Sequence, residues 1–197
     1  VDIDDVYLGN GVSELIVMSM QGLLDNGDEV LVPMPDYPLW TAAVSLAGGN
    51  AVHYLCDEAA DWYPDIDDIR SKITSNTKAI VVINPNNPTG YTYTKEELYK
   101  IRDLVKKYDL FLFADEVYRE FFYSKEPLIS AMTLEGIEQN VILCDSFSKR
   151  YSECGMRVGA LISHNKEVCS TVLKYCQARL SPPLLGQIVA EASIDAP

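Results

Sequence analysis

Short continuous apolar runs alternate along this chain with longer stretches in which apolar residues recur every third or fourth position. The runs are Glu29-Val30-Leu31-Val32, closed by Pro33 and Pro35, then Ala51 to Cys56, Ala79 to Ile83, Leu110 to Ala114, Val141 to Cys144 and Val158 to Ile162. A continuous run, as opposed to strict alternation, suits a strand covered on both faces, as in parallel α/β sheets. The stretches between them predict helices. Ser13 to Leu24 follows Gly9-Asn10-Gly11 and stops at Asn26-Gly27, and Leu39 to Ala47 stops at Gly48-Gly49. Asp65 to Ile73 carries Ile66, Ile69 and Ile73 on one side. Thr94-Lys95-Glu96-Glu97 reads as a capping box, opening a helix with Leu98, Ile101, Val105 and Tyr108 near helical spacing. Asn165 can cap a last helix with Val168, Val172 and Tyr175 on one face.

This order predicts one α/β domain, residues 1–197, with three α/β/α layers around a mostly parallel central sheet. No internal repeat, low-complexity segment or linker interrupts it. In open sheets of this kind, ligands sit at the carboxyl ends of the strands. Polar clusters stand at such ends: Asn84-Pro85-Asn86-Asn87-Pro88, Asp115-Glu116, and Asp145-Ser146-Phe147-Ser148-Lys149. Strand ends that deliver polar groups to one rim predict a site there.

Composition narrows the function. With 48% hydrophobic and 23% charged residues over 197 positions, the chain has ordinary globular composition and length enough for a core. A net charge of −13 disfavours nucleic acid and anionic membranes as partners. It also means that an anionic ligand must be held by local groups against a repulsive background. Five cysteines without a C-x-x-C pair argue against a disulfide framework and for a reduced, cytoplasmic compartment. The two histidines, His53 and His164, have no second ligand nearby in sequence, which argues against zinc. No run approaches the roughly 20 apolar residues that span a bilayer. No signal peptide is visible, and a chain starting at Val1 is expected to begin inside a longer parent.

The clusters carry specific chemistry. A lysine is most often a solvated surface charge, but Lys149 follows a buried strand among small hydroxyl residues. There it can lose solvent and act as an amine nucleophile toward a carbonyl. Ser146 and Ser148 can donate to a phosphate, and the fork of Arg157 suits a doubly charged one. Asp115, at the end of an apolar strand, needs a partner for its charge. A cap or turn would supply one, and so would a protonated ring nitrogen, which the carboxylate would keep cationic. Tyr118 and Asn87 can address a ring oxygen, although Asn-Pro pairs also favour turns, one of them a candidate for a cis bond. Gly9-Asn10-Gly11-Val12-Ser13-Glu14 matches only half of G-x-G-x-x-G, because Glu14 stands where the third glycine belongs. As a phosphate seat at a helix start it is still sound. Tyr37 can stack on a flat ring.

Together, GNGVSEL (9–15), PDYPLW (35–40), NPNNPTG (84–90), FADEVY (113–118), SFSK (146–149) and GMRVG (155–159) resemble the fold-type-I enzymes that use pyridoxal 5'-phosphate (PLP), specifically class I/II aminotransferases. The matches run in order over almost the whole chain. The resemblance implies the PLP-binding large domain of such an enzyme. It implies that Lys149 holds PLP as a Schiff base and later moves the substrate's α-proton, and that Asp115 pairs with the pyridine nitrogen. Tyr118 and Asn87 would bind the ring oxygen and Tyr37 would stack on the ring. Val12, Ser13, Ser146, Ser148 and Arg157 would hold the phosphate. The implied reaction moves an amino group from an amino acid to PLP and on to a 2-oxo acid. The first half looks closest to alanine-type enzymes and the lysine segment to aspartate-type relatives.

The resemblance covers roughly the central half of a family chain. The N-terminal arm, and the small C-terminal domain whose arginine binds the substrate carboxylate, are expected to be absent. Ser181-Pro182-Pro183 resembles a segment that approaches a partner's cofactor, and family analogy implies a homodimer. A charge-assisted contact of the missing kind is worth about 1.5–3 kcal/mol. The isolated chain is therefore expected to bind PLP and transfer amino groups weakly or not at all. A PLP lyase or decarboxylase, a PLP-binding module without turnover, and a nicotinamide-binding domain are the alternatives. The last is disfavoured by Glu14 and the lysine-centred cluster.

Overall fold

The computed structural model of the chain describes residues 1–123 and 127–195. Its strands are β1 (Val6–Asn10), β2 (Glu29–Met34), β3 (Asn50–Asp57), β4 (Tyr63–Pro64), β5 (Thr77–Ile83), β6 (Phe111–Asp115), β7 (Val141–Ser146) and β8 (Val158–Ile162). They form one sheet in the order β1-β8-β7-β6-β5-β2-β3-β4. The run from β7 through β6, β5 and β2 to β3 is parallel. The β3–β4, β7–β8 and β1–β8 pairings are antiparallel. The helices are α1 (Val12–Leu23), α2 (Leu39–Leu46), α3 (Ile66–Lys72), α4 (Lys95–Tyr108), the single turn α5 (Phe147–Arg150), α6 (Lys166–Arg179) and α7 (Leu184–Ser193).

The apolar runs do become strands, and the central ones are covered on both faces while β3 is mostly half-buried; the side-chain period of two sorts the central runs between two cores. Leu31, Ile80, Val82, Leu112 and Ala114 face one way, against Ile66 and Ile69 of α3 and Leu98, Ile101 and Val105 of α4. Val30, Val32, Val81, Ile83 and Phe113 face the other way, against Leu15, Ile16 and Met20 of α1, Trp40 and Val44 of α2, and Val168 and Val172 of α6. Each such side chain contributes about 1.5–3 kcal/mol on burial, so the two cores fix both helical layers. Local signals set the helix starts. The Thr94 side chain accepts from the Glu97 amide while Glu97 reaches back to the Thr94 amide, the reciprocal capping box read from sequence. Asn165 accepts from the amides of Glu167 and Val168 at the start of α6.

Four of these elements differ from the sequence reading, the two-residue strand β4 among them. β1 was not expected, because an edge strand of five residues ending in Gly9-Asn10 carries no apolar run. The turn α5 and the helix α7 were not expected either: α5 is a single turn, and α7 leaves Leu184, Leu185 and Ile188 exposed. The sequence marks one Asn-Pro bond as a cis candidate; both Asn84-Pro85 and Asn87-Pro88 are cis, and so is Met34-Pro35.

The strand order changes hand between β5 and β2, and this leaves a crevice at the carboxyl ends. Because β8 runs opposite to β7, it starts at the rim where β7 ends, and Ser146 lies opposite Gly159. Because β1 runs opposite to β8, it ends at that same rim, with Asn10 opposite Val158. All six sequence motifs thus converge on one edge of the sheet.

The convergence leaves no room at Gly159. A Cβ there would lie 2.5 Å from the Val12 nitrogen and 2.8 Å from the Gly11 carbonyl carbon, both backbone atoms. Gly159→Ala is expected to cost about 1–3 kcal/mol in urea unfolding. Gly155→Ala, where a Cβ meets nothing within 4 Å, should stay within about 0.5 kcal/mol of the parent. Equal costs for the two would refute the close approach.

Candidate functional site

A cavity of about 150 Å³ opens at this rim, lined by Val12, Ser13, Tyr37, Asn87, Asp115, Tyr118, Ser146, Ser148, Lys149 and Arg157, together with Ile16, Ile83, Val117 and Cys154. Every site residue singled out from sequence is therefore in one place.

Asp115 ends β6 and is 6% exposed. Its Oδ2 accepts from Trp40 Nε1 at 3.0 Å and its Oδ1 from the Val117 amide at 3.3 Å. Trp40 is fully buried and packs edge-on against Phe113, 5.6 Å between centroids, so its N–H has a fixed aim. Burial pushes the Asp115 carboxyl up to about 6, against the pull of the Trp40 and Val117 donors. Among the described residues no cation pairs with it. The next residue, Glu116, is also buried, and burial pushes it up to about 7 while the Ala131 amide pulls the other way.

Lys149 sits in α5. Ser146 caps this turn, accepting from the Ser148 amide at 3.0 Å while donating from Oγ to the Val158 carbonyl at 3.3 Å. Lys149 Nζ lies over the Tyr118 ring, 5.7 Å from its centroid, and 3.8 Å from Cys154 Sγ. Ion pairs brace the segment from behind. Arg150 pairs with Asp145 at 2.9 Å and with Glu120 at 3.3 Å, and Arg119 lies 3.7 Å from Glu116 and 3.9 Å from Asp145. These pairs join the Lys149 segment to the chain that leaves Asp115.

The other wall is built for an anion. α1 begins at Val12 with no side-chain cap, so its first amides are left without an intrahelical partner. Gly11 precedes it at φ 77°, and a Cβ there would sit 2.1 Å from Arg157 Nη2. The Arg157 guanidinium therefore rests on the bare glycine. It donates to the Cys154 carbonyl at 3.0 Å and reaches the Asn10 carbonyl at 3.5 Å. Glu14, the residue that spoils the dinucleotide pattern, accepts from the Asn10 amide at 2.7 Å and from Arg179 at 2.5 Å. It braces the loop instead of binding a ligand.

Asn87 lies in a turn held by its neighbours. Asn84 accepts from the Tyr93 amide, and Asn86 accepts from the amide and hydroxyl of Thr89. The turn and site readings of Asn87 therefore coexist. Sequence reasoning missed Trp40 and Cys154. Trp40 stands inside PDYPLW, three residues after Tyr37, and Cys154 stands between SFSK and GMRVG, five after Lys149. Among the described residues, no group of three His, Cys, Asp or Glu side chains is placed to hold a metal ion. No described helix is long and apolar enough to cross a membrane.

The cavity thus offers a buried carboxyl with no cation beside it among the described residues, an uncapped helix start with an arginine and serines, and an amine. These fit PLP, whose ring nitrogen, phosphate and aldehyde ask for those three partners. A family profile described as "Aminotransferase class I and II" matches residues 2–197. Glutamate-pyruvate aminotransferase AlaA of Escherichia coli strain K12 is 53% identical over 162 residues, 82% of this chain and 40% of that protein. Alanine aminotransferase of Mycobacterium tuberculosis strain H37Rv is 53% identical over 198 residues, 98% of this chain and 46% of its own length. The solved alanine aminotransferase from Pyrococcus furiosus superposes with a TM-score of 0.91 at 38% identity, covering 100% of this chain and 51% of that one. The chain spans about half or less of the relatives it matches.

The raised carboxyls set a pH dependence. Between the ordinary range near 3.8 and about 6, Asp115 holds a proton in the folded chain that the unfolded chain releases. Its contribution to stability is therefore full at low pH and lost as pH rises through that window. The unfolding free energy of Asp115→Asn relative to the parent, without added ligand, should rise by on the order of 3 kcal/mol from pH 4 to pH 7.5. A difference that stays flat across this range would contradict the burial argument.

Proposed function

The chain belongs to the class I and II aminotransferases, and we propose that its cavity holds PLP and that the protein moves an amino group between an amino acid and a 2-oxo acid. The observation that carries this reading is the shared cavity of Lys149, Asp115 and Arg157. When bound, PLP supplies an aldehyde that condenses with amines and a cationic ring that accepts the electron pair left when a substrate carbon loses its proton.

The chain's own groups divide the work. Lys149 Nζ would hold the cofactor through its aldehyde and, once the substrate's own amine has displaced it, would be the free amine placed to carry the proton of the substrate's α-carbon. Asp115 keeps a proton on the ring nitrogen. A cation at that point restores the carboxylate that burial disfavours, so cofactor and carboxyl stabilise each other's charge. Trp40 fixes the carboxyl's orientation through its N–H. Tyr118 and Asn87 donate to the ring oxygen, and Tyr37 covers the ring face. The amides of Val12 and Ser13, with Ser146, Ser148 and Arg157, take the phosphate, which local donors must hold against a net charge of −13.

The proposal treats residues 1–197 as one PLP-binding domain whose partners are small molecules. It carries with it a homodimer, by family analogy, and a cytoplasmic setting. The five free thiols support the second.

The test is to add PLP to the chain, reduce with borohydride and map the labelled peptide. One label, on Lys149, is expected, and Lys149→Ala should lose it. Glutamate and pyruvate added to the loaded protein should yield alanine and 2-oxoglutarate only slowly, since the chain spans about half or less of the relatives it matches. Release of CO₂ or elimination products would mean a lyase or decarboxylase, and label spread over surface lysines would end the proposal.

A further inference from the structure

We infer that Cys154 is a positioning residue for Lys149. The inference rests on the reading above, in which Lys149 captures an aldehyde. Five thiols are free in this chain, and Cys154 alone among them lines the cavity. Cys56 and Cys144 belong to the two cores, Cys169 is buried and Cys176 lies half-buried on α6.

Cys154 joins both working ends of the cavity. Its Sγ accepts from Lys149 Nζ at 3.8 Å and donates to the Ser148 carbonyl at 3.0 Å. Its own carbonyl accepts from Arg157 Nη1 at 3.0 Å. The thiol thus links the amine to the backbone of the amine's own turn, and the carbonyl links that turn to the guanidinium at the anion wall. A free lysine side chain spreads over many rotamers, and ordering it costs up to about 2 kcal/mol. A contact to sulfur together with the face of the Tyr118 ring confines it. Sulfur is a weak acceptor. The hold is therefore firm enough to bias the amine toward the cavity and soft enough to release it when it reacts.

Loosening this hold has opposite effects on two reactions of the same amine. A small reagent that needs no orientation should find the freed amine more readily, while a ligand seated by its phosphate should find it less often in place. The test compares the parent chain with Cys154→Ala, Cys154→Ser and the control Cys176→Ala. Brief acetylation with acetic anhydride gives the modification of Lys149 relative to exposed Lys174 in the same digest. The rate of borohydride-trapped PLP labelling at Lys149 gives the second readout. In Cys154→Ala the acetylation ratio should rise roughly 3-fold and the PLP labelling rate should fall roughly 3-fold, the scale of one weak hydrogen bond. Cys154→Ser, which keeps a donor and an acceptor, should return both toward the parent, and Cys176→Ala should match it. An unchanged acetylation ratio in Cys154→Ala, or both readouts falling together as in a loosened fold, would overturn the inference. If the parent itself takes no PLP on Lys149, the proposed function fails, while the acetylation ratio still decides the role of Cys154.

Discussion

A carboxyl group at the end of a fully apolar strand is costly to ionise, and the rest of this site follows from how that cost is met. Asp115 has two N–H donors, from Trp40 and Val117, and among the described residues no cation. Burial holds its proton above the ordinary range, and the two neutral donors orient the carboxyl and offset only part of that cost. The group is thus poised for a positive partner arriving from the cavity. The Asp115 carbonyl also accepts from the Asn84 amide at the end of the next strand. The carboxyl and the asparagine turn are therefore placed together by sheet pairing. Nothing about the pocket has to be assembled by flexible loops alone.

The opposite charge problem arises at the other wall. A strongly acidic chain repels anions, yet an uncapped helix start, two serines and an arginine meet at one point. Their closeness depends on two bare backbones, at Gly11 and Gly159, that let the guanidinium and α1 approach within distances any side chain would block. Charge that the composition spreads evenly is here overruled by local geometry. The ion pairs of Arg119 and Arg150 do comparable work behind Lys149, where they offset the crowding of Glu116, Glu120 and Asp145. Glu116 and Asp145 are largely buried, so the cost of desolvating these pairs offsets much of their attraction and their main effect is on orientation.

The sheet and its two helical layers were legible because continuous apolar runs and capping signals are local. Thr94 and Asn165 behave as short-range chemistry dictates. β1 was not legible, since its pairing depends on β8 and its own residues carry no run. α7 was not legible because its apolar residues do not settle which face is covered. The ten candidate residues were readable as a set through ordered motifs, not through any one of them. Trp40 and Cys154 escaped because their roles are contacts to other site residues across 75 and 5 positions of sequence. The first exists only once β2 and β6 are placed in the sheet, and the second only once the chain after Lys149 turns back on itself.

The pairing of β1 with β8 has a consequence for how the molecule comes into being. Asn10 and Arg157 touch although 147 residues separate them in the chain. On a ribosome adding about 5–20 residues per second, the first strand waits on the order of ten seconds or longer for its partner. Until then the pocket lacks the wall that Arg157 builds against the start of α1. That the waiting segment is short, glycine-bearing and half-polar makes it a poor template for pairing with a neighbouring nascent chain.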